Sequence, residues 1–181
     1  MSQTESGHEE PAKAKPAPLA AEGKYLTFVL GGEEYGIDIV RVKEIIGVMG
    51  ITHIPMAPDF VKGVINLRGK VIPVMDLRLK FGMPELPHTR ETVFIVVEVN
   101  GGLVGTVVDT VREVLNIGGK DIEPPPQFGA RLDTSFILGM GKAQGKVKIL
   151  LDIERALTAE EKVILSDLLK DETAEATAKA A

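Results

Sequence analysis

The stretch GVINLRGKVIPVMDLR, residues 63–78, sets a charged tip, Arg68-Gly69, between two apolar runs. It returns 76 positions later as GMGKAQGKVKILLDIE, residues 139–154, with Gly63, Gly69, Lys70, Val71 and Asp76 reappearing as Gly139, Gly145, Lys146, Val147 and Asp152. Arg68 does not return, and its counterpart is Gln144. A glycine at the tip supplies the positive φ that a tight hairpin turn needs. Each copy therefore predicts a β-hairpin, and the two copies differ in charge at the turn.

The repeat extends outward. YLTFVL, Gly31-Gly32 and EEYGIDIV predict a hairpin, and so do TVFIVVEV, Asn100-Gly101-Gly102 and LVGTVVD. Shifted by 69 positions, YGIDIVRVKEII (35–46) lies on VGTVVDTVREVL (104–115), matching Gly36, Val42 and Glu44 to Gly105, Val111 and Glu113. Both copies then meet proline, at Pro55 and Pro58 and at Pro124-Pro125-Pro126, which removes ladder donors and takes the chain out of the sheet. Phe60 and Phe136 open the second hairpin of each copy.

The expected fold is all-β. Two tandem five-stranded barrels span roughly 24–88 and 89–157, each filled by its own side chains and closed against edge pairing. Thr158-x-x-Glu161 before KVILSDLLK is a capping box with an amphipathic run, predicting a C-terminal helix over 158–170 docked on a barrel. Residues 1–23, rich in Ala, Pro, Glu and Lys, are expected as a disordered tail, and residues 171–181 as a flexible one.

The 181 residues carry a net charge of -5, no Trp and two Tyr, which argues against a nucleic-acid groove or base-stacking platform. Cysteine is absent, excluding disulfides and Cys-based metal sites. Apolar runs such as VFIVVEV fall far short of a membrane span and no signal peptide is evident, so a soluble cytoplasmic protein is expected.

His8, His53 and His88 have no metal-ligand or general-base spacing around them. An aspartic dyad would need Asp-Thr-Gly or Asp-Ser-Gly twice. Asp109-Thr110 is followed by Val111 and Asp133-Thr134 by Ser135. Asp76 and Asp152 instead suit capping of the turn after each strand. Glycines occur singly or in hairpin pairs, with no nucleophile elbow and no phosphate loop. No catalytic, cofactor or metal constellation is present. An enzyme on tandem barrels using Asp38, Asp76, Asp109 or Asp152 stays a weaker rival, to be recognised by a perturbed carboxylate between barrels.

A binding surface is the stronger expectation. Leu67 and Arg68 together have the composition of an interface hot spot, and the smaller, neutral Ala143-Gln144 does not. Strand alternation puts Val42, Glu44 and Ile46 on one face and Lys43 and Ile45 on the other. An apolar trough from Val42, Ile46 and Leu67 with Glu44 and Arg68 on its rim would suit an amphipathic helix.

YGIDIVRVKEII, IPMAPDFVKGVINLRGKVIPVMDLR and VVDTVREVL with the proline run resemble the CheW-like family of bacterial chemotaxis coupling proteins, and the resemblance covers Lys24 to about Leu169. It implies two SH3-like barrels and a non-catalytic adaptor. The implied partners are the C-terminal regulatory domain of the histidine kinase CheA and the cytoplasmic hairpin tip of methyl-accepting chemotaxis receptors. That tip would lie in the groove between barrels, with kinase, adaptor and further adaptor copies arranged in rings. Family positions for partner binding fall on Val42, Glu44, Gly63 and Arg68. Glu44, Arg68, Leu67 and Ile46 are assigned to the receptor, and Val42 and Gly63 to the kinase. Recruitment to receptor arrays at the inner face of the membrane follows, without insertion into it. A coupling protein of a non-motility chemosensory array would look the same.

Overall fold

The computed structural model describes residues 20–126 and 134–168. Its strands are β1 (Gly23–Leu30), β2 (Glu33–Asp38), β3 (Val42–Gly47), β4 (Val61–Leu67), β5 (Lys70–Asp76), β6 (Val93–Val99), β7 (Gly102–Val108), β8 (Thr110–Ile117), β9 (Ile122–Glu123), β10 (Ile137–Ala143) and β11 (Lys146–Leu151). One-turn helices α1 (Leu77–Lys80) and α2 (Ile153–Ala156) follow β5 and β11. Helix α3 covers residues 159–168. The fold is all-β, as the alternating runs predict.

Four two-residue turns make the hairpins. Gly31-Gly32, Arg68-Gly69, Asn100-Gly101 and Gln144-Gly145 all have φ between 49° and 86°. Two successive positive φ values match the twist of the strands they join. At the β4–β5 tip the turn is reinforced by the Gly69 N–H, which donates to Asn66 Oδ1 at 2.8 Å.

The strands form two sheets, β8-β1-β2-β11-β10-β9 and β3-β6-β7-β5-β4. Both close. β9 continues the β8 segment and pairs with β10, while Thr52, beyond β3, forms an antiparallel bridge to Val64 of β4. The result is two five-stranded barrels, a terminal one built from β1, β2 and β8 to β11 and a middle one built from β3 to β7. The expected division at residues 88 and 89 is therefore corrected. β1–β2 pairs with the second copy's strands, and β6–β7 with those of the first. The two parallel seams are equivalent, Leu150 opposite Gly36 and Val74 opposite Gly105. The exchange follows from the link after β2, a single 3-10 turn at Ile39–Arg41 that delivers the chain straight into the other sheet. Two copies of one pattern read alike whether a hairpin pairs within its own copy or with the other.

The repeated glycines have a packing cause. A Cβ on Gly36 would meet Leu150 Cδ2 at 2.9 Å, and one on Gly105 would meet Val74 Cγ2 at 3.4 Å. The repeated aspartates cap helices as expected: Asp76 Oδ1 accepts the Arg78 N–H at 2.8 Å, and Asp152 Oδ1 the Glu154 N–H at 2.9 Å.

The main core lies between the barrels. Leu26, Phe28, Leu30 and Ile37 of one sheet meet Met75, Ile95, Val97 and Val108 of the other. Smaller clusters fill each barrel, around Ile65, Phe94 and Val96 in the middle one and Tyr25, Ile117 and Leu150 in the terminal one. Burying such side chains contributes roughly 1.5–3 kcal/mol each and drives the barrels together. α3 starts on the predicted capping box: the Glu161 N–H donates to Thr158 Oγ1 at 3.2 Å, and the Thr158 N–H to Glu161 Oε2 at 2.9 Å. Leu165 enters the main core, and Lys80 of α1 pairs with Glu161 at 2.6 Å.

The N-terminal boundary shifts. Residues 20–23, expected within the tail, are part of the fold: Ala20 is buried and its N–H donates to the Leu138 carbonyl at 2.9 Å. The rest of that tail, the flexible 171–181 segment and the last two residues of the expected helix lie outside the described residues.

Lys148 of β11 is buried and paired with Glu34 of β2. Burial pushes its ammonium below the usual lysine value. Glu34→Gln leaves that charge uncompensated, and a loss of about 3–5 kcal/mol is expected at neutral pH. Between the depressed value and the ordinary one near ~10.4, the unfolded chain holds the proton more tightly, so stability rises with pH. The deficit should therefore narrow in denaturant titrations repeated at alkaline pH.

Candidate functional site

β3 pairs with β6 on one side only, and past Gly47 the chain crosses to close on β4. That leaves β3 beside the β4–β5 tip. Arg68 reaches across to Glu44 with a two-pronged guanidinium–carboxylate contact, Nη1 to Oε2 at 2.9 Å and Nη2 to Oε1. Arg68 is 72% exposed and Glu44 29%. The hydrogen bonds from Arg68 hold the Glu44 carboxyl below the usual value, and Glu44 raises the guanidinium in turn. The pair is an exposed two-pronged contact that orients both side chains at the barrel end and adds little to stability.

Leu67, next to Arg68 in the chain, and Ile46, two residues after Glu44, are half-buried against the apolar cluster of the middle barrel. Four of the expected residues, Glu44, Arg68, Leu67 and Ile46, are thus brought together, two displayed and two supporting them. Val42 is separated from them. A bulge sets Val42 opposite Val97 but Glu44 opposite Val96. Burial still alternates along β3, with Val42, Glu44 and Ile46 half-buried and Lys43 and Ile45 exposed, while Val42 packs on the inter-barrel core and Ile46 on the middle barrel's own cluster. The three share the less exposed face of β3, as the alternation predicts, but its two ends serve different clusters.

Gly63 is buried at a second bulge, in β4, with φ of 140°. A Cβ there would overlap the Thr52 carbonyl, lying 2.8 Å from its carbon and 2.9 Å from Ile51 Cγ2. Gly63 therefore holds the barrel closed at the Thr52–Val64 bridge and presents no side chain of its own.

What the sequence reading missed is the outer surface of this region. Ile45, Val48 and Met49, which follow Glu44 in the chain, are exposed apolar residues, Ile45 on the face of β3 opposite Glu44. The repeat carried the signal, because Val114, the counterpart of Ile45, is exposed as well. Between the barrels lies a cleft of about 140 Å³, with Ile37, Val97, Leu151 and Ile153 among its walls and Arg41 and Glu154 at its rim. None of the six expected residues lines it. β3 connects it to the tip, since Val42 pairs with the cleft residue Val97.

The carboxylates considered for catalysis have structural partners. Asp38 accepts the Val40 N–H at 3.0 Å, Asp109 pairs with Arg78, and Asp76 and Asp152 cap helices. Among the described residues no group of three metal-ligating side chains occurs and no helix is long and apolar enough to cross a membrane.

A family model described as CheW-like domain matches residues 24–161. Chemotaxis protein CheW of Klebsiella aerogenes is 42% identical over 147 residues, 81% of this chain and 89% of that protein. Chemotaxis protein CheW of Rhizobium meliloti is 34% identical over 76% of this chain and 88% of its own length. The crystal structure of the scaffolding protein TtCheW from Thermoanaerobacter tengcongensis superposes with a TM-score of 0.71 at 38% identity, covering 77% of this chain and 97% of that one. Sequence repeat, paired barrels and these relatives agree: the chain belongs to the CheW-like family of chemotaxis proteins.

Proposed function

We propose that this chemotaxis adaptor couples receptors to the histidine kinase CheA and helps assemble their arrays. It is a scaffold and not an enzyme. The observation that carries the reading is the Glu44–Arg68 pair, fixed on one barrel end and absent from the equivalent end, where Gln144 stands. A charged clamp followed in the chain by exposed Ile45, Val48 and Met49 has the mixed polar and apolar character of a protein-binding surface. The receptor's helical tip lies along β3 from the cleft to this clamp, with Glu44 and Arg68 contacting it and Ile46 and Leu67 holding them in place. The kinase takes the surface that Val42 and Gly63 shape from beneath. Rings with further copies, and recruitment to arrays on the cytoplasmic side of the membrane, belong to the same reading.

Arg68→Glu sets two carboxylates against each other at an exposed turn, so the fold should persist while receptor binding falls at least tenfold. Co-sedimentation with receptor-containing membranes measures this, and undiminished binding would remove the clamp from the receptor contact. Kinase autophosphorylation in a mixture of kinase, receptor fragment and this protein tests the larger claim. Activity that does not respond to receptor when the protein is added would overturn it.

A further inference from the structure

The interface between the barrels has two edges that the repeat makes equivalent, and they are built differently. At one edge Arg78 of α1 pairs with Asp109, the residue after β7, and their side chains are only 9% and 21% exposed. Asp109 is also tied to the other barrel. Its N–H donates to the Val29 carbonyl at 3.0 Å, and its Oδ2 accepts the Gly31 N–H at 3.0 Å. One carboxylate thus joins the β1–β2 hairpin of the terminal barrel to α1 of the middle barrel. Arg78 Nη1 reaches the Leu86 carbonyl at 3.4 Å, while its Nε is buried without a hydrogen-bond partner among the described residues.

At the equivalent edge Glu154 of α2 takes the place of Arg78, and Val40 the place of Asp109. Here the ion pair is Arg41–Glu154, separated by 3.6 Å, with Arg41 53% exposed. This loose pair stands at the rim of the 140 Å³ cleft. One edge is pinned by a desolvated pair with additional backbone ties, and the other is open and held by a solvated pair of little strength.

We propose that Arg78 and Asp109 are positioning residues, the pin about which the two barrels pivot, and that this motion widens or narrows the cleft beneath Arg41–Glu154. A buried, incompletely satisfied ion pair contributes more to a unique arrangement than to stability. Rotation of packed units about a fixed contact is the ordinary route by which a cleft opens. The pivot itself needs no partner. Only its effect on receptor affinity rests on the function proposed above.

The chain has no cysteine, so nitroxide labels can be placed uniquely at Ile45→Cys on the middle barrel and Val147→Cys on the terminal one, both exposed positions. Electron–electron double resonance then reads the distance between barrels in the full chain. The parent is expected to give a single distribution whose width reflects pivoting at the cleft edge alone. In Arg78→Met/Asp109→Leu, an apolar replacement of the pair compatible with folding, the width should at least double at an unchanged circular-dichroism spectrum. An unchanged width in that folded variant overturns the proposal. Should the double variant fail to fold, Arg78→Gln/Asp109→Asn, which removes both charges and keeps an acceptor for the Gly31 N–H, gives the same reading. Receptor-tip fragment should bind the unlabelled double variant, with Ile45 and Val147 intact, at least fivefold more weakly than the parent. A doubled width with unaltered affinity leaves the pivot standing and removes the receptor from the cleft.

Discussion

Gly63→Val is expected to open the middle barrel and to lower the melting temperature by roughly 10 °C. The cause is local. At φ of 140° the new side chain sits in a backbone region that residues with a Cβ rarely adopt, and that Cβ collides with the Thr52 carbonyl. Relief requires moving β4 away from Thr52, which breaks the reciprocal bonds Thr52 N–H to Val64 O at 2.8 Å and Val64 N–H to Thr52 O at 2.9 Å. Strain of about 1–3 kcal/mol and two lost bonds of about 1 kcal/mol each total about 3–5 kcal/mol. That is a large share of the roughly 5–15 kcal/mol that holds a domain together. Gly47→Ala is the control, since a Cβ there meets nothing within 4 Å, and its melting temperature should match the parent's. A Gly63→Val protein as stable as the parent would show that the bulge does not need glycine. The expected outcome also separates two kinds of lost binding: Gly63→Val should lose partners by loosening the fold, Arg68→Glu with the fold intact.

Asp109→Ala is expected to be as damaging, by a different route. Removing the carboxylate leaves the Arg78 guanidinium buried without its counter-ion and takes the acceptor from the Gly31 N–H. Breaking one side of a buried pair costs about 3–5 kcal/mol, most of it the desolvation of the stranded charge. Arg78→Met/Asp109→Leu removes both charges and should regain most of the loss. Urea denaturation of the single and double variants measures both values. Equal instability of the two would show that shape, not charge, decides the edge.

The hairpins were legible because glycine at a turn and alternation in a strand are local signals. The capping box at Thr158 and Glu161 and the caps at Asp76 and Asp152 were readable for the same reason. Partner choice among strands was not readable, because identical copies offer identical edges and only the short Ile39–Arg41 link breaks the tie. The Val42–Glu44 bulge was hidden too, since an inserted residue leaves no mark on a run of six. Glu44 and Arg68 were each selected as single residues. Their mutual contact depends on a closure at Thr52 that no spacing reveals. The sequence offers Asp109 only as a candidate acid or base and does not single out Arg78, and burial gives the pair its importance.

The exchange of hairpins has a consequence for how the chain comes off the ribosome. β1 and β2 emerge first, yet the strands beside them are β8 and β11, and β11 ends at Leu151. The middle barrel can close as soon as β7 has been made, while the first hairpin waits with its long-range edges unpaired. Late, distant pairing of this kind slows folding and exposes strand edges in the interval. Synthesis from one end thus imposes an order on two similarly built units, the middle one complete before the one that contains β1.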